Sequence, residues 1–82
     1  MRIKENIAVS ESGFVFDSNS GDSFNLNEVG QEILRLLKDE KTEEEIQIYI
    51  TNEYDVEPDV FVDSYYDFIR MLSQFNLLEN EN

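Results

Sequence analysis

The chain has 82 residues, 40% of them hydrophobic, with four tyrosines, six phenylalanines and a net charge of −13 from 19 acids and six bases. That length buries one small core, and so negative a potential repels phosphate backbones and anionic lipid, so neither nucleic acid nor a membrane is an expected partner. The chain has no cysteine and no histidine, which excludes disulfide staples, a cysteine nucleophile, and both the commonest general base and the commonest zinc ligand.

The charge is uneven. Residues 1–38 carry six acids and four bases, residues 39–57 carry eight acids against Lys41 alone, and residues 58–82 carry five acids against Arg70 alone. Two readings stand, plain solubility or a basic partner surface. The opening MRIKENIAVSES has no apolar run of signal-peptide or membrane-spanning length. The expectation is a cytoplasmic protein with a single domain over residues 1–82.

In chain order, Ile3–Val9 alternates Ile7 and Val9 with Ala8 and ends in the turn Ser10-Glu11-Ser12-Gly13. Phe14-Val15-Phe16 reads as a second strand. Asp17-Ser18-Asn19-Ser20-Gly21 is dense in turn formers and leads to a third strand over Asp22–Leu26, where Phe24 and Leu26 alternate with Ser23 and Asn25. Three strands on short turns predict an antiparallel meander.

Three helices should follow. Asn27 is placed to cap Glu28–Lys38, with Glu28 at the positive end of the dipole. Val29, Ile33, Leu36 and Leu37 supply its apolar stripe. Gly30 inside that pattern costs roughly 1 kcal/mol against alanine, which predicts close packing of the first turn on another backbone. Thr42-Glu43-Glu44-Glu45 is a capping box that opens the second helix, with Ile46, Tyr49, Ile50 and Tyr54 on its apolar face. Its three glutamates could be taken for a catalytic or metal-binding cluster, but helix-start chemistry explains them better.

Pro58 suits the first position of a third helix, where its missing N–H would be unpaired anyway. That helix should reach Phe75, with Asn76 left-handed behind it and Leu77-Leu78 folding back onto the core. At 100° per residue, Phe61, Tyr65, Phe68, Leu72 and Phe75 form one stripe, extended by Val62 and Ile69, with Tyr66 and Met71 on opposite flanks. This arc spans about half the circumference, wider than the roughly 100° that one core contact needs. Either the helix packs on two sides, or part of the stripe lines a groove. Asp59, Asp63 and Asp67 repeat on the far face, and without further oxygen ligands they read as a solvated surface rather than a cation site.

The run Gly21, Phe24-x-Leu26-Asn27-x-x-Gly30-x-x-Ile33-Leu34-x-Leu36-Leu37, then Thr42-x-x-Glu45-Ile46, Glu53-Tyr54, Phe68-Ile69-x-x-Leu72 and Leu77-Leu78 resembles PqqD-like proteins, the stand-alone form of the recognition element for ribosomally made, post-translationally modified precursor peptides. The resemblance covers roughly residues 7–78. Asn76 stands where the family usually has glycine, and Phe24 where tyrosine is frequent. The resemblance implies an α+β, winged-helix-like domain, a three-stranded antiparallel sheet followed by a three-helix bundle. It further implies a binding module and no enzyme: one that takes the precursor's leader segment as an added strand and presents it to a separate modifying enzyme or leader protease, with no cofactor.

Carried over position by position, the pairing strand is Asp22, Ser23, Phe24 and Asn25, and the helix wall is Tyr65, Tyr66, Ile69 and Arg70. Core packing is the alternative for Phe24 and Tyr65. Arg70 is either an anchor for a leader carboxylate or a partner for Asp67. Which flank of the third helix faces the cleft is open in the sequence. Among competing readings, a nucleic-acid reader would need a basic stripe where this helix has one Arg against three Asp. An enzyme using paired carboxylates would need a deeper pocket than this length builds. An acidic adaptor with no peptide recognition is the remaining alternative. The charge predicts a basic leader or a basic docking face on the partner.

Overall fold

A computed structural model of the chain describes residues 2–79. Strands β1 (Ile7–Val9), β2 (Phe14–Asp17) and β3 (Ser23–Asn25) are followed by helices α1 (Glu28–Lys38), α2 (Glu43–Tyr54) and α3 (Pro58–Gln74). The sheet is antiparallel in the order β1-β2-β3, so the α+β architecture is the one the sequence predicts. Strand alternation turns Ile7 and Val15 inward, onto a core shared with Ile33, Leu34 and Leu37 of α1, Ile46 and Ile50 of α2, and Phe61, Tyr65 and Leu72 of α3. The other face of the sheet carries Ala8, Phe14 and Phe16, all exposed.

The turns follow from local chemistry. Gly13 has φ +87°, and a Cβ there would stand 2.7 Å from the Leu26 carbonyl oxygen, so only glycine lets the first turn approach β3 this closely. Asn27 caps α1 by accepting the Gly30 N–H at 2.8 Å. The Thr42–Glu45 capping box is complete, each side chain bonding the other's backbone N–H. Pro58 opens α3, and Asn76, at φ 60°, turns the chain after it. Asp55, at φ 52°, ends α2 in the left-handed conformation, a stop the sequence does not announce.

Three details differ from expectation. The first strand begins at Ile7, because the Ile7 N–H turns back to the Lys4 carbonyl at 3.2 Å. Ile3 instead pairs with Leu78 in an isolated antiparallel bridge, supported by Lys4 N–H to the Leu77 carbonyl and Glu79 N–H to the Arg2 carbonyl. Leu77 is thereby buried, as its predicted return to the core requires. Helix α3 stops at Gln74, with Phe75 as its cap. Gly30 does pack closely, but against side chains: a Cβ there would lie 3.3 Å from the Phe68 ring and 3.3 Å from Asn27 Oδ1.

Candidate functional site

The two edges of the sheet are not equivalent, and the hydrogen-bond ladder shows why. In an antiparallel pair, residues alternate between those that exchange N–H and C=O with the neighbouring strand and those that point these groups away. Between β2 and β3, Asp17 N–H donates to the Asp22 carbonyl at 2.9 Å and Leu26 N–H to the Gly13 carbonyl at 2.9 Å. Counting by two, Phe24 is the residue bonded to its register partner Val15. Ser23 and Asn25 therefore aim their N–H and C=O at the open side.

The same counting on β1 runs from Ser10 N–H to the Phe14 carbonyl and from Ser18 N–H to the Asn6 carbonyl. Ala8 bonds to Phe16, and Ile7 and Val9 point outward. Ile7 is already satisfied on both groups, its N–H by Lys4 and its C=O by Lys38 Nζ at 2.6 Å. Half of the β1 edge is closed in this way. Among the described residues no hydrogen bond caps Ser23 or Asn25, so β3 is the edge that can accept another strand.

Helix α3 walls this edge with one flank. The Phe24 and Phe75 rings meet at 4.6 Å between centroids, and Phe24, Met71 and Leu72 line one small cavity of about 10 Å³. Phe68 reaches across to Gly30. Phe68, Met71 and Phe75 recur at three and four residues, the spacing of one helix flank. On the other side of Phe68 is an apolar groove of about 310 Å³, lined by Asn27, Gly30, Ile33, Val60, Phe61 and Phe68 among others, with none of its lining from β3 itself. The Phe24 side of α3 is filled by the protein's own rings.

By spacing, none of Tyr65, Tyr66, Ile69 and Arg70, the residues expected to form the helix wall, shares the flank of Phe68, Met71 and Phe75. Tyr65 is 3% exposed, stacked on Phe61 at 5.5 Å, and burial raises its hydroxyl pKa, with Glu43 adding to the effect. It belongs to the core. The Tyr66 hydroxyl donates to Glu43 of α2 at 2.9 Å, and that bond raises its pKa. By spacing, Ile69 shares the flank of Tyr66, three residues on. Arg70 is exposed and pairs with Asp67 at 2.9 Å, on the solvent face of α3 that also carries Asp59 and Asp63. Asp22, Ser23 and Asn25 are exposed along β3, and Phe24 is half-buried beneath them.

Sequence reasoning placed Phe68 and Phe75 in the apolar stripe but gave neither a part in the wall, and it left Met71 as a flanking residue. The signal that separates the flanks is Gly30. A glycine that costs helix stability needs a bulky partner, and Phe68 is that partner. Two acids flank β3 and its link to α1 in the chain, Asp22 just before the strand and Glu28 at the head of α1, while Arg70 is already engaged by Asp67. Asp59, Asp63 and Asp67 are solvent-exposed, and no group able to hold a metal ion occurs among the described residues. No described helix is long and apolar enough to cross a membrane.

The model of the family described as coenzyme PQQ synthesis protein D (PqqD) matches residues 13–78. Two solved structures are similar over nearly their whole length. One is TbiB1 in complex with the TbiA(beta) leader peptide, with a TM-score of 0.85 and 30% identity, covering 100% of this chain and 99% of that one. The other is lasso peptide synthetase B1 complexed with the leader peptide, with a TM-score of 0.79 and 23% identity, covering 98% and 96% respectively. No curated protein matches the sequence.

Proposed function

This chain belongs to the PqqD family, and from that premise we propose that it binds the leader segment of a ribosomally made precursor peptide and presents it to a separate modifying enzyme or leader protease. The observation that carries the reading is the open β3 edge, with Ser23 and Asn25 aimed outward; two residues on, Asn27 lines an apolar groove of about 310 Å³. An extended peptide gains main-chain hydrogen bonds along such an edge and places alternate side chains against the helix. The solved relative at 30% identity is a leader-peptide complex, which supports leader binding by this chain.

The proposed contact set is the strand Asp22, Ser23, Phe24 and Asn25, walled by Phe68, Met71 and Phe75; Arg70, paired with Asp67 on the solvent face, is outside it. One bulky apolar leader side chain enters the groove at Gly30 and Phe68. Its basic neighbours lie near Asp22 and Glu28. The chain acts as one binding module without chemistry of its own, and a single core joining all six elements supports that reading.

A fluorescence-polarisation titration tests it, using labelled leader segments of the precursor peptides encoded beside this protein and a DNA duplex as control. Sub-micromolar binding of one leader with no binding of the duplex is expected. A protein that binds none of the leaders refutes the proposal.

A further inference from the structure

The outer face of the sheet is the largest feature that leader binding leaves unused. Phe14 is 42% exposed and Phe16 is 41% exposed, two residues apart on the central strand and so side by side on one face. All three helices share the core on the other face with Ile7 and Val15. Aromatic residues on a solvated sheet face are usually explained by aromatic or β-branched partners across the ladder. Here Phe14 faces Asn25, and Phe16 faces Ser23 and Ala8. Cross-strand pairing therefore does not account for them.

We infer that Phe14 and Phe16 form the docking surface for the protein that acts on the bound precursor, engaged through an apolar patch set in a basic surround. This rests on the proposed leader binding at β3. A strand added there lies in the same sheet, so its outward side chains extend the face that Phe14, Phe16, Ser23 and Asn25 already form. A protein seated on this face touches the module and the leader together, and the leader completes its footprint. The charge selects the class of occupant. A second copy of this chain brings another −13 against the first, which opposes self-association, whereas a basic surface is attracted.

The test uses the full chain and the double substitution Phe14→Ser, Phe16→Ser, with circular dichroism to verify folding. Three measurements are made on each protein: leader affinity by fluorescence polarisation, oligomeric state by sedimentation, and affinity for the purified modifying enzyme or leader protease encoded beside it, with and without saturating leader. The inference expects a folded variant with leader affinity within about twofold of the parent and at least a tenfold loss of enzyme affinity. It also expects the parent to bind the enzyme more tightly when leader is present. Unchanged enzyme affinity in the folded variant overturns it. So does loss of leader affinity, which would make the two rings part of the peptide site, or a parent dimer that the variant abolishes. If the double variant does not fold, the single substitutions Phe14→Thr and Phe16→Thr carry the same comparison. A parent that binds no leader at all refutes the leader reading separately.

Discussion

Proline at Asn25 separates strand addition from every other way this surface could hold a peptide. Asn25 points its N–H to the open edge, whereas Phe24 donates to β2. Proline removes an amide donor and is tolerated on an edge strand where that donor faces solvent. The preceding residue is held extended by a proline, and Phe24 is already in a strand. Asn25→Pro should therefore leave folding stability within about 1 kcal/mol of the parent. The leader carbonyl opposite it loses its donor and stays desolvated, a cost of about 1–3 kcal/mol, which raises Kd roughly 5- to 150-fold. Phe24→Pro instead breaks the bond to Val15 inside the sheet and should destabilise the fold. Val9→Pro, at the outward position of the opposite edge, should leave leader affinity unchanged. Fluorescence polarisation and thermal denaturation on the three variants decide the matter. A folded Asn25→Pro protein that binds leader within about twofold of the parent refutes pairing at this edge.

The two flanks of α3 give a second contrast: Met71→Ala should weaken leader binding by about 1–2 kcal/mol through lost apolar contact, while Tyr66→Phe should change it less than about twofold. A larger loss at Tyr66 than at Met71 would put the peptide on the α2 side. Thr42→Ala removes the side-chain cap of α2 and should lower stability by about 0.5–2 kcal/mol in chemical denaturation. The same box predicts a pH dependence, because the Thr42 N–H and hydroxyl hold the Glu45 carboxyl below its ordinary value of 4.5. A depressed folded pKa contributes stability above pH 4.5 that is lost as pH falls through the lower folded value, so Glu45→Gln should flatten the acid limb of the melting profile below pH 4.5. Finally, raising sodium chloride from about 50 to 500 mM should slow association of a basic leader in stopped-flow by about an order of magnitude, since the chain's net charge of −13 acts beyond contact range only at low salt.

Much of this fold is legible in the residues because local chemistry and tertiary packing agree. Asn27, the Thr42–Glu45 box and Pro58 each start a helix where their hydrogen-bonding chemistry requires, and the period-2 pattern of β1 and β3 gives the right faces, whereas Phe14-Val15-Phe16 is apolar throughout and shows no face. The meander also needs only short turns. What was not legible depends on rotation and on distant partners. Tyr66 and Met71 are equivalent in periodicity, and only the bond to Glu43 on one side and the Phe24–Phe75 contact on the other tell their flanks apart. Ile3 resembles the start of a strand, yet its partner is Leu78, at the far end of the described chain. Which edge of the sheet stays open came from the family resemblance and not from the residues themselves, since it turns on Lys38 reaching the Ile7 carbonyl from α1.

The bridge between Ile3 and Leu78 also bears on how this domain can be combined with others. Glu79 N–H reaches the Arg2 carbonyl at 2.8 Å, and the Arg2 guanidinium lies 3.3 Å from Glu40 and 3.7 Å from Glu79. The chain therefore enters and leaves the fold at one point, one strand spacing apart. A host protein could carry the domain as an insertion in a surface loop, because joining two ends already in contact adds little closure entropy. The entry point leads into β1, the edge opposite β3, so such a graft would leave Ser23 and Asn25 open to an incoming strand.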